Sequence, residues 1–94
     1  EEATATIEDF AFSGFNLYPN PSKGTFNLNF DVVNTEKVVV QLFDIRGRLI
    51  GEKNFIDTNT RFSESISFQR AAAGLYLVKI TNGNKQTTRK LVIQ

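Results

Sequence analysis

Residues 75–93, LYLVKITNGNKQTTRKLVI, contain two runs of alternating side chains with a turn signal between them. Residues 75–81 and 86–93 follow the period of two that places every second side chain on one face of a strand. Asn82-Gly83 lies between these runs, and the dipeptide suits the two positive-φ positions of a type I′ hairpin turn. The stretch therefore predicts two strands that pair antiparallel.

The period of two also runs through the earlier part of the chain. Residues 26–30 alternate phenylalanine or leucine with asparagine, which predicts a strand with one buried face. Residues 37–44, KVVVQLFD, are apolar on both faces and rich in β-branched side chains, so we expect a central strand covered on both sides. Further strands are predicted at residues 15–18, 48–55 and 62–68. Glu64 interrupts the apolar face of the last of these, which indicates a sheet edge.

The connections between these strands carry residues that particular turns need. Asp44 and Gly47 bound a tight turn in which the Asp side chain accepts backbone N–H groups and the Gly adopts a left-handed conformation. Residues 71–73 are three alanines before Gly74, compatible with one helical turn. Seven short strands with turn signals roughly every 8–12 residues indicate an all-β fold. We expect an immunoglobulin-like antiparallel β-sandwich of two sheets.

Both prolines of the chain lie between the first two predicted strands, as Pro19 and Pro21. Each fixes φ at about −65°, lacks an N–H group, and pushes the residue before it, Tyr18 or Asn20, toward extended backbone. A central strand cannot continue through such a segment, so the first strand should be short or lie at an edge. Residues 21–24 should then turn the chain into the second strand. Whether the segment serves folding alone or recognition as well stays open at this point.

Composition excludes most kinds of chemical site. The chain of 94 residues has no histidine and no cysteine, which removes the usual nucleophile–base pairs, zinc sites and disulfides. A formal charge of +1 provides no field for nucleic acid or an anionic membrane. No apolar run approaches the roughly 20 residues of a membrane helix. We therefore expect a non-enzyme without metal or cofactor. Calcium bound at a cluster of loop residues is the alternative, although no ligand spacing supports it.

The first thirteen residues, EEATATIEDFAFS, have few apolar positions. We interpret residues 1–13 as a linker remnant and residues 14–94 as the domain. Residues 1–13 lack the basic-then-apolar pattern of a signal peptide, so export would require a leader outside this sequence.

Four short motifs follow one another along the chain. They are Leu17-Tyr18-Pro19-Asn20-Pro21 with Gly24, Val40-Gln41-Leu42-Phe43-Asp44 with Gly47-Arg48, Ala73-Gly74-Leu75-Tyr76, and Lys90-Leu91-Val92-Ile93. In this order and spacing they resemble the C-terminal sorting domain of the type IX secretion system of Bacteroidetes-type bacteria. The resemblance covers about residues 15–94. Phe43 stands where that family commonly has tyrosine, and Ala72 where it often has proline.

The resemblance implies an export label. Proteins with such a domain reach the periplasm by a separate N-terminal signal, and the outer-membrane translocation machinery then recognises the C-terminal domain. A sortase-like cysteine protease typically removes the domain at the cell surface. The partners implied are thus this machinery, this protease and an N-terminal cargo in the same chain, with the cut expected in or near residues 1–13. Cargo and label would end at the cell surface or outside the cell.

The last predicted strand is the candidate for what the machinery reads. Three cations, Lys85, Arg89 and Lys90, lie on or beside it, and Leu91 and Ile93 share one of its faces with Val92 between them. No element follows this strand to cover it, so we expect an edge that offers unpaired backbone groups to a partner sheet or to a second copy of the chain. The alternative is that Leu91, Val92 and Ile93 pack in the core while the cations discourage aggregation.

Two other functions remain open from the residues alone. Many extracellular sandwiches bind carbohydrate or act as adhesins, although such sites usually present aromatic platforms and this chain has no Trp and two Tyr. An inert spacer domain is the other alternative.

Overall fold

The computed structural model describes residues 10–56, 60–68 and 71–94. Within these ranges the chain forms strands and no helix, and therefore no helix that is long and apolar enough to cross a membrane. The strands are β1 (Asn16–Tyr18), β2 (Thr25–Asp31), β3 (Val38–Asp44), β4 (Leu49–Phe55), β5 (Arg61–Ser67), β6 (Gly74–Asn82) and β7 (Lys85–Ile93).

The strands form two antiparallel sheets in a sandwich, which confirms the predicted all-β class. One sheet has the order β1-β2-β5 and the other the order β4-β3-β6-β7. β1 is three residues long and lies at an edge, as the prolines after it predicted. β3 is an interior strand, also as predicted, and β5, which carries the exposed Glu64, is an edge strand.

The period of two determines which side chains fill the space between the sheets. Val38, Val40 and Leu42 of β3 point inward and are fully buried, while Val39 and Phe43 on the outer face are only half-buried. The expectation that β3 is covered on both sides was therefore wrong for its outer face, because the described strands form two layers and β3 faces the other sheet on one side only. Burying each large apolar side chain contributes about 1.5–3 kcal/mol, so the inner face provides most of the stability.

The turns on either side of β6 differ from the predicted ones. Asn82 pairs with Lys85, so the two-residue loop consists of Gly83, with φ +66°, and Asn84, not of Asn82-Gly83. The antiparallel pairing itself is confirmed. The helical turn at residues 71–73 is absent: the chain bends at Ala73 directly into β6.

Asn82 stays in the strand because its side chain is already engaged. The side chain is fully buried, its Oδ1 accepts the Val33 N–H at 3.0 Å, and its Nδ2 donates to the Glu36 carbonyl at 2.9 Å. These two bonds fasten the connection between β2 and β3 to the end of β6. A buried amide with both groups satisfied stabilises this position, whereas a turn would expose it.

The packed domain begins before the predicted boundary at Gly14. Phe12 is 4% exposed and its ring centroid lies 4.7 Å from that of Phe30. The Phe10 N–H donates to the Gln86 carbonyl at 2.7 Å. Residues 10–13 therefore belong to the sandwich, which corrects that part of the predicted linker, because two phenylalanines complete the core at its margin. Residues 1–9 of the predicted linker lie outside the described residues.

Candidate functional site

The four motifs, widely separated in sequence, meet at one end of the four-stranded sheet. Asp44 of β3 pairs with Tyr76 of β6, which in turn pairs with Leu91 of β7. Beside them, Ile93 forms a parallel bridge with Ser22, which lies in the loop that contains the prolines. The folded sheet thus places the motifs side by side in a continuous band.

The loop at residues 19–24, called here the proline loop, pairs with β7 as a neighbouring strand would. The Asn20 side chain donates from Nδ2 to the Lys90 carbonyl at 2.8 Å and accepts the Val92 N–H on Oδ1 at 3.0 Å. Ser22 donates its N–H to the Val92 carbonyl and accepts the Gln94 N–H, both at 2.8 Å. The Asn20 amide therefore replaces the peptide group that a proline-containing segment cannot offer. The Tyr18-Pro19 and Asn20-Pro21 peptide bonds are both cis.

The expectation of an uncovered last strand was therefore wrong. The proline loop covers the end of β7, and Phe10 bonds to Gln86 nearer its start. The covering segments precede β7 in the chain by about 70 residues, and the residue pattern of β7 itself gives no sign of them. Strand addition or self-association along this part of β7 would have to displace these bonds. What the end of β7 presents is side chains: Lys90 and Val92 are exposed, whereas Leu91 and Ile93 are buried in the core.

Two of the three predicted cations contact the N-terminal segment of the domain. The Lys85 Nζ lies 5.3 Å from the centroid of the Phe10 ring, and the Arg89 guanidinium lies 4.7 Å from that of Phe15. Such cation–π contacts contribute about 0.5–1 kcal/mol at exposed sites. Lys85 and Arg89 thus help to hold the N-terminal segment against β7. A period of two along one strand carries no signal for these contacts with distant rings, so sequence reasoning missed them.

The turn after β3 has the predicted geometry. The Asp44 Oδ1 accepts the N–H groups of Arg46 and Arg48, each at 2.9 Å, its Oδ2 accepts the Arg48 Nε at 2.8 Å, and Gly47 has φ +86°. The hydrogen bond from the Arg48 N–H is the main cause that holds the pKa of Asp44 below its ordinary value, against an opposing effect of burial. The carboxylate is thus used to fix the turn.

A cavity of about 420 Å³ lies between this turn and the start of β6. We call it the turn groove. It is lined by Asp44, Ile45, Arg46, Arg48, Ile50, Ala71, Ala72, Gly74, Leu75 and Tyr76. Large apolar side chains remain exposed around it: Ile45 at 70%, Leu75 at 45% and Ile50 at 41%. On the neighbouring strand Val92, 37% exposed, pairs with Leu75 and extends the apolar surface.

The remaining predicted residues have structural surroundings. Tyr18 ends β1 and is half-exposed, and Pro19 and Pro21 are exposed. Gly24 has φ +103°, a conformation that favours glycine, and its carbonyl accepts the Phe68 N–H at 2.7 Å. The Tyr76 hydroxyl donates to the Ala72 carbonyl at 2.6 Å. In the described part of the chain, no three His, Cys, Asp or Glu side chains are grouped so that they could hold a metal ion.

Comparison with known proteins agrees with the arrangement of the motifs. A family model described as "Secretion system C-terminal sorting domain" matches residues 16–94, which include all four motifs. An ulvan lyase of Nonlabens ulvanivorans is 27% identical to this chain over 94 residues. That match covers 99% of this chain but only 17% of the lyase. The chain thus spans about a sixth of the length of this relative.

Proposed function

This chain belongs to the family of secretion system C-terminal sorting domains, and we propose on that premise that it directs a cargo protein, joined to its N-terminal side, across the outer membrane. The observation that carries the proposal is the meeting of the four motifs in one band of the folded sheet. A shared surface is what a translocation machinery needs in order to read a folded label.

The label acts by binding and not by catalysis. The family is described as a sorting domain, and the Asp44 carboxylate is bonded within its turn. The relative from Nonlabens ulvanivorans is named an ulvan lyase, and the match to this chain covers only 17% of that protein. We propose that activity in a protein of this kind belongs to its cargo part and that this domain contributes the address.

The proposed route has three steps. A separate leader carries the protein to the periplasm, the type IX translocation machinery then binds the folded domain, and a sortase-like cysteine protease removes the domain at the cell surface. The cut falls on the N-terminal side of Phe10. The Phe10 N–H is bonded to Gln86 of β7 and Phe12 is buried, and backbone held in this way resists proteolysis.

A fusion experiment tests the proposed function. A monomeric red fluorescent protein with a periplasmic leader is joined to residues 1–94 and expressed in a bacterium that has a type IX system and in its translocon-deficient mutant. We expect fluorescence at the cell surface or in the medium in the parent strain and in the periplasm of the mutant. Periplasmic retention in both strains would contradict the proposal. The reporter without the domain is the matched control, and retention of the fusion on immobilised glycans would support the carbohydrate-binding alternative.

A further inference from the structure

The turn groove has the properties of a docking site. Resting on the proposed function, we propose that it binds an extended, acidic segment of a partner protein, which inserts one apolar side chain between Ile45, Ile50 and Leu75 and places a carboxylate on Arg46. This assigns a site and a partner chemistry to the motif band, which the family description does not specify.

The apolar walls of the groove are not explained by folding. Ile45, Ile50 and Leu75 are each more than 40% exposed, although the core between the sheets is filled by other residues. Single exposed apolar side chains are ordinary on a protein surface, but a cluster around a cavity marks a binding site. The volume of about 420 Å³ lies in the lower part of the range of ligand pockets, about 300–1,000 Å³. It is large enough to take an apolar anchor side chain.

Both walls of the groove are fixed before any partner arrives. On one side, three hydrogen bonds to Asp44 hold the turn that carries Ile45 and Arg46. On the other side, the Tyr76 hydroxyl donates to the Ala72 carbonyl and its ring is 7% exposed. A preformed groove loses little conformational entropy on binding, so a short segment can bind with useful affinity.

The charges around the groove favour an acidic partner. Arg46 and Arg48 line it, and Arg48 pairs with Asp44, the acidic residue among the lining side chains, at 2.8 Å. This pair is balanced in charge, so Arg46 gives the groove its net positive charge. Lys90, which pairs with Leu77 on the neighbouring strand, is a further exposed cation near Val92. A carboxylate can accept two parallel hydrogen bonds from the planar guanidinium of an arginine, which makes this pair stronger than a hydrogen bond between neutral groups.

The shape of the groove favours a protein segment over a lipid surface. Its apolar side chains surround a cavity, whereas proteins that bind the plane of a membrane insert a continuous apolar face into it. An extended segment with alternating side chains can place one residue in the cavity and the next on the rim.

Peptide titration tests the docking site directly. The ¹⁵N-labelled chain is titrated with the acetylated, amidated peptide Gly-Asp-Phe-Asp-Gly, followed by amide chemical shifts. We expect saturable shifts confined to residues 44–50 and 71–76. The matched peptides Gly-Lys-Phe-Lys-Gly and Gly-Asp-Ala-Asp-Gly should each bind at least tenfold more weakly. Equal binding of the three peptides, shifts elsewhere, or no saturation at millimolar concentrations would overturn the proposal. So would binding of phosphatidylglycerol vesicles that depends on Ile45 in the absence of peptide binding.

Export of fusions separates this inference from the proposed function. Leu75→Asp and Arg46→Glu should each lower the exported fraction of the fluorescent fusion at least tenfold, with unchanged melting temperature and amide spectrum. Val33→Asp is the control, because Val33 is also 45% exposed but bonds to Asn82 at the opposite end of β6. If the unaltered fusion is not exported, the proposed function fails. If it is exported and both groove variants export equally well, only the docking inference fails.

Discussion

The two edges of the four-stranded sheet are protected in different ways. At β7, other parts of the chain occupy outward backbone groups: Phe10 bonds to Gln86, and residues 20–22 bond to Lys90, Val92 and Gln94. At β4, the backbone hydrogen bonds among the described residues are those with β3. One edge is closed by pairing, and along the other the described residues provide no second backbone partner.

Charge protects the edge that pairing does not. β4 carries Glu52 and Lys53 at its centre, both exposed, and charged side chains on an edge strand discourage pairing with another chain. Its inner side packs on the other sheet, with the Phe55 and Phe62 ring centroids 5.0 Å apart. Near the exposed Val92, β7 carries the exposed cation Lys90, and this part of the strand is the one that the proline loop covers. The proline motif therefore closes one edge of the sheet and leaves the side chains of Lys90 and Val92 exposed beside it.

The largest expected effect comes from removing the phenylalanine that joins the N-terminal segment to the core. Phe12→Ala should lower the free energy of unfolding by about 3–5 kcal/mol, because a nearly fully buried ring is lost and a cavity remains. Urea denaturation measures this change in the free energy of unfolding. Leu49→Ala changes a half-exposed residue of the edge strand β4. It should lower the free energy of unfolding by less than about 1 kcal/mol. Equal costs at the two positions would show that residues 10–13 are not part of the packed domain.

A smaller effect is expected from the amide that closes β7. Asn20→Ala removes two hydrogen bonds to the strand and should cost about 1–2 kcal/mol, since each contributes about 0.5–1.5 kcal/mol. It should also promote self-association, detectable by sedimentation velocity, because the Val92 N–H and the Lys90 carbonyl lose their partner at this edge. Asn54→Ala on β4 is the matched control and should change stability by less than about 0.5 kcal/mol. A variant that stays as stable and as monomeric as the parent would contradict the role assigned to Asn20.

The smallest expected effect is a pH dependence of the turn after β3. The pKa of Asp44 is lowered in the folded chain, so its contribution to stability is fully present above the ordinary value of 3.8 and is lost as the pH falls through the lowered value. Asp44→Asn should therefore reduce the loss of thermal stability below about pH 4. Hydrogen bonds from Asn54 and Gln41 likewise lower the pKa of Glu52. The pH profile of Glu52→Gln therefore provides the matched comparison on the edge strand β4. A pH profile of melting temperature for Asp44→Asn that coincides with that of the parent would exclude this role.

Local patterns predicted the strands well because each depends on a period of two or on a turn residue. The central position of β3 followed from its β-branched residues, and the edge position of β1 from Pro19 and Pro21. Contacts between distant residues were missed. The bonds of Asn20 to β7 span about 70 residues, and Asn82 was placed in the turn because its bonds to the connection between β2 and β3 were not visible in the sequence.

The candidate site could likewise be predicted only as far as local patterns reach. The motifs identified the family and the residues that meet at one end of the sheet. The turn groove was not predicted, because Ile45, Ile50 and Leu75 belong to three separate segments and form one surface only when β3, β4 and β6 are aligned.

Amide hydrogen exchange tests most directly whether the proline loop closes the edge of the sheet. In the parent chain, the Val92 and Gln94 amides should exchange slowly, because Asn20 and Ser22 accept their hydrogen bonds, while amides on the unpaired side of β4 exchange fast. Asn20→Ala should remove the protection of Val92 and leave the core amides of β3 and β6 protected. Fast exchange of Val92 in the parent chain, or unchanged protection in the variant, would contradict a closed edge.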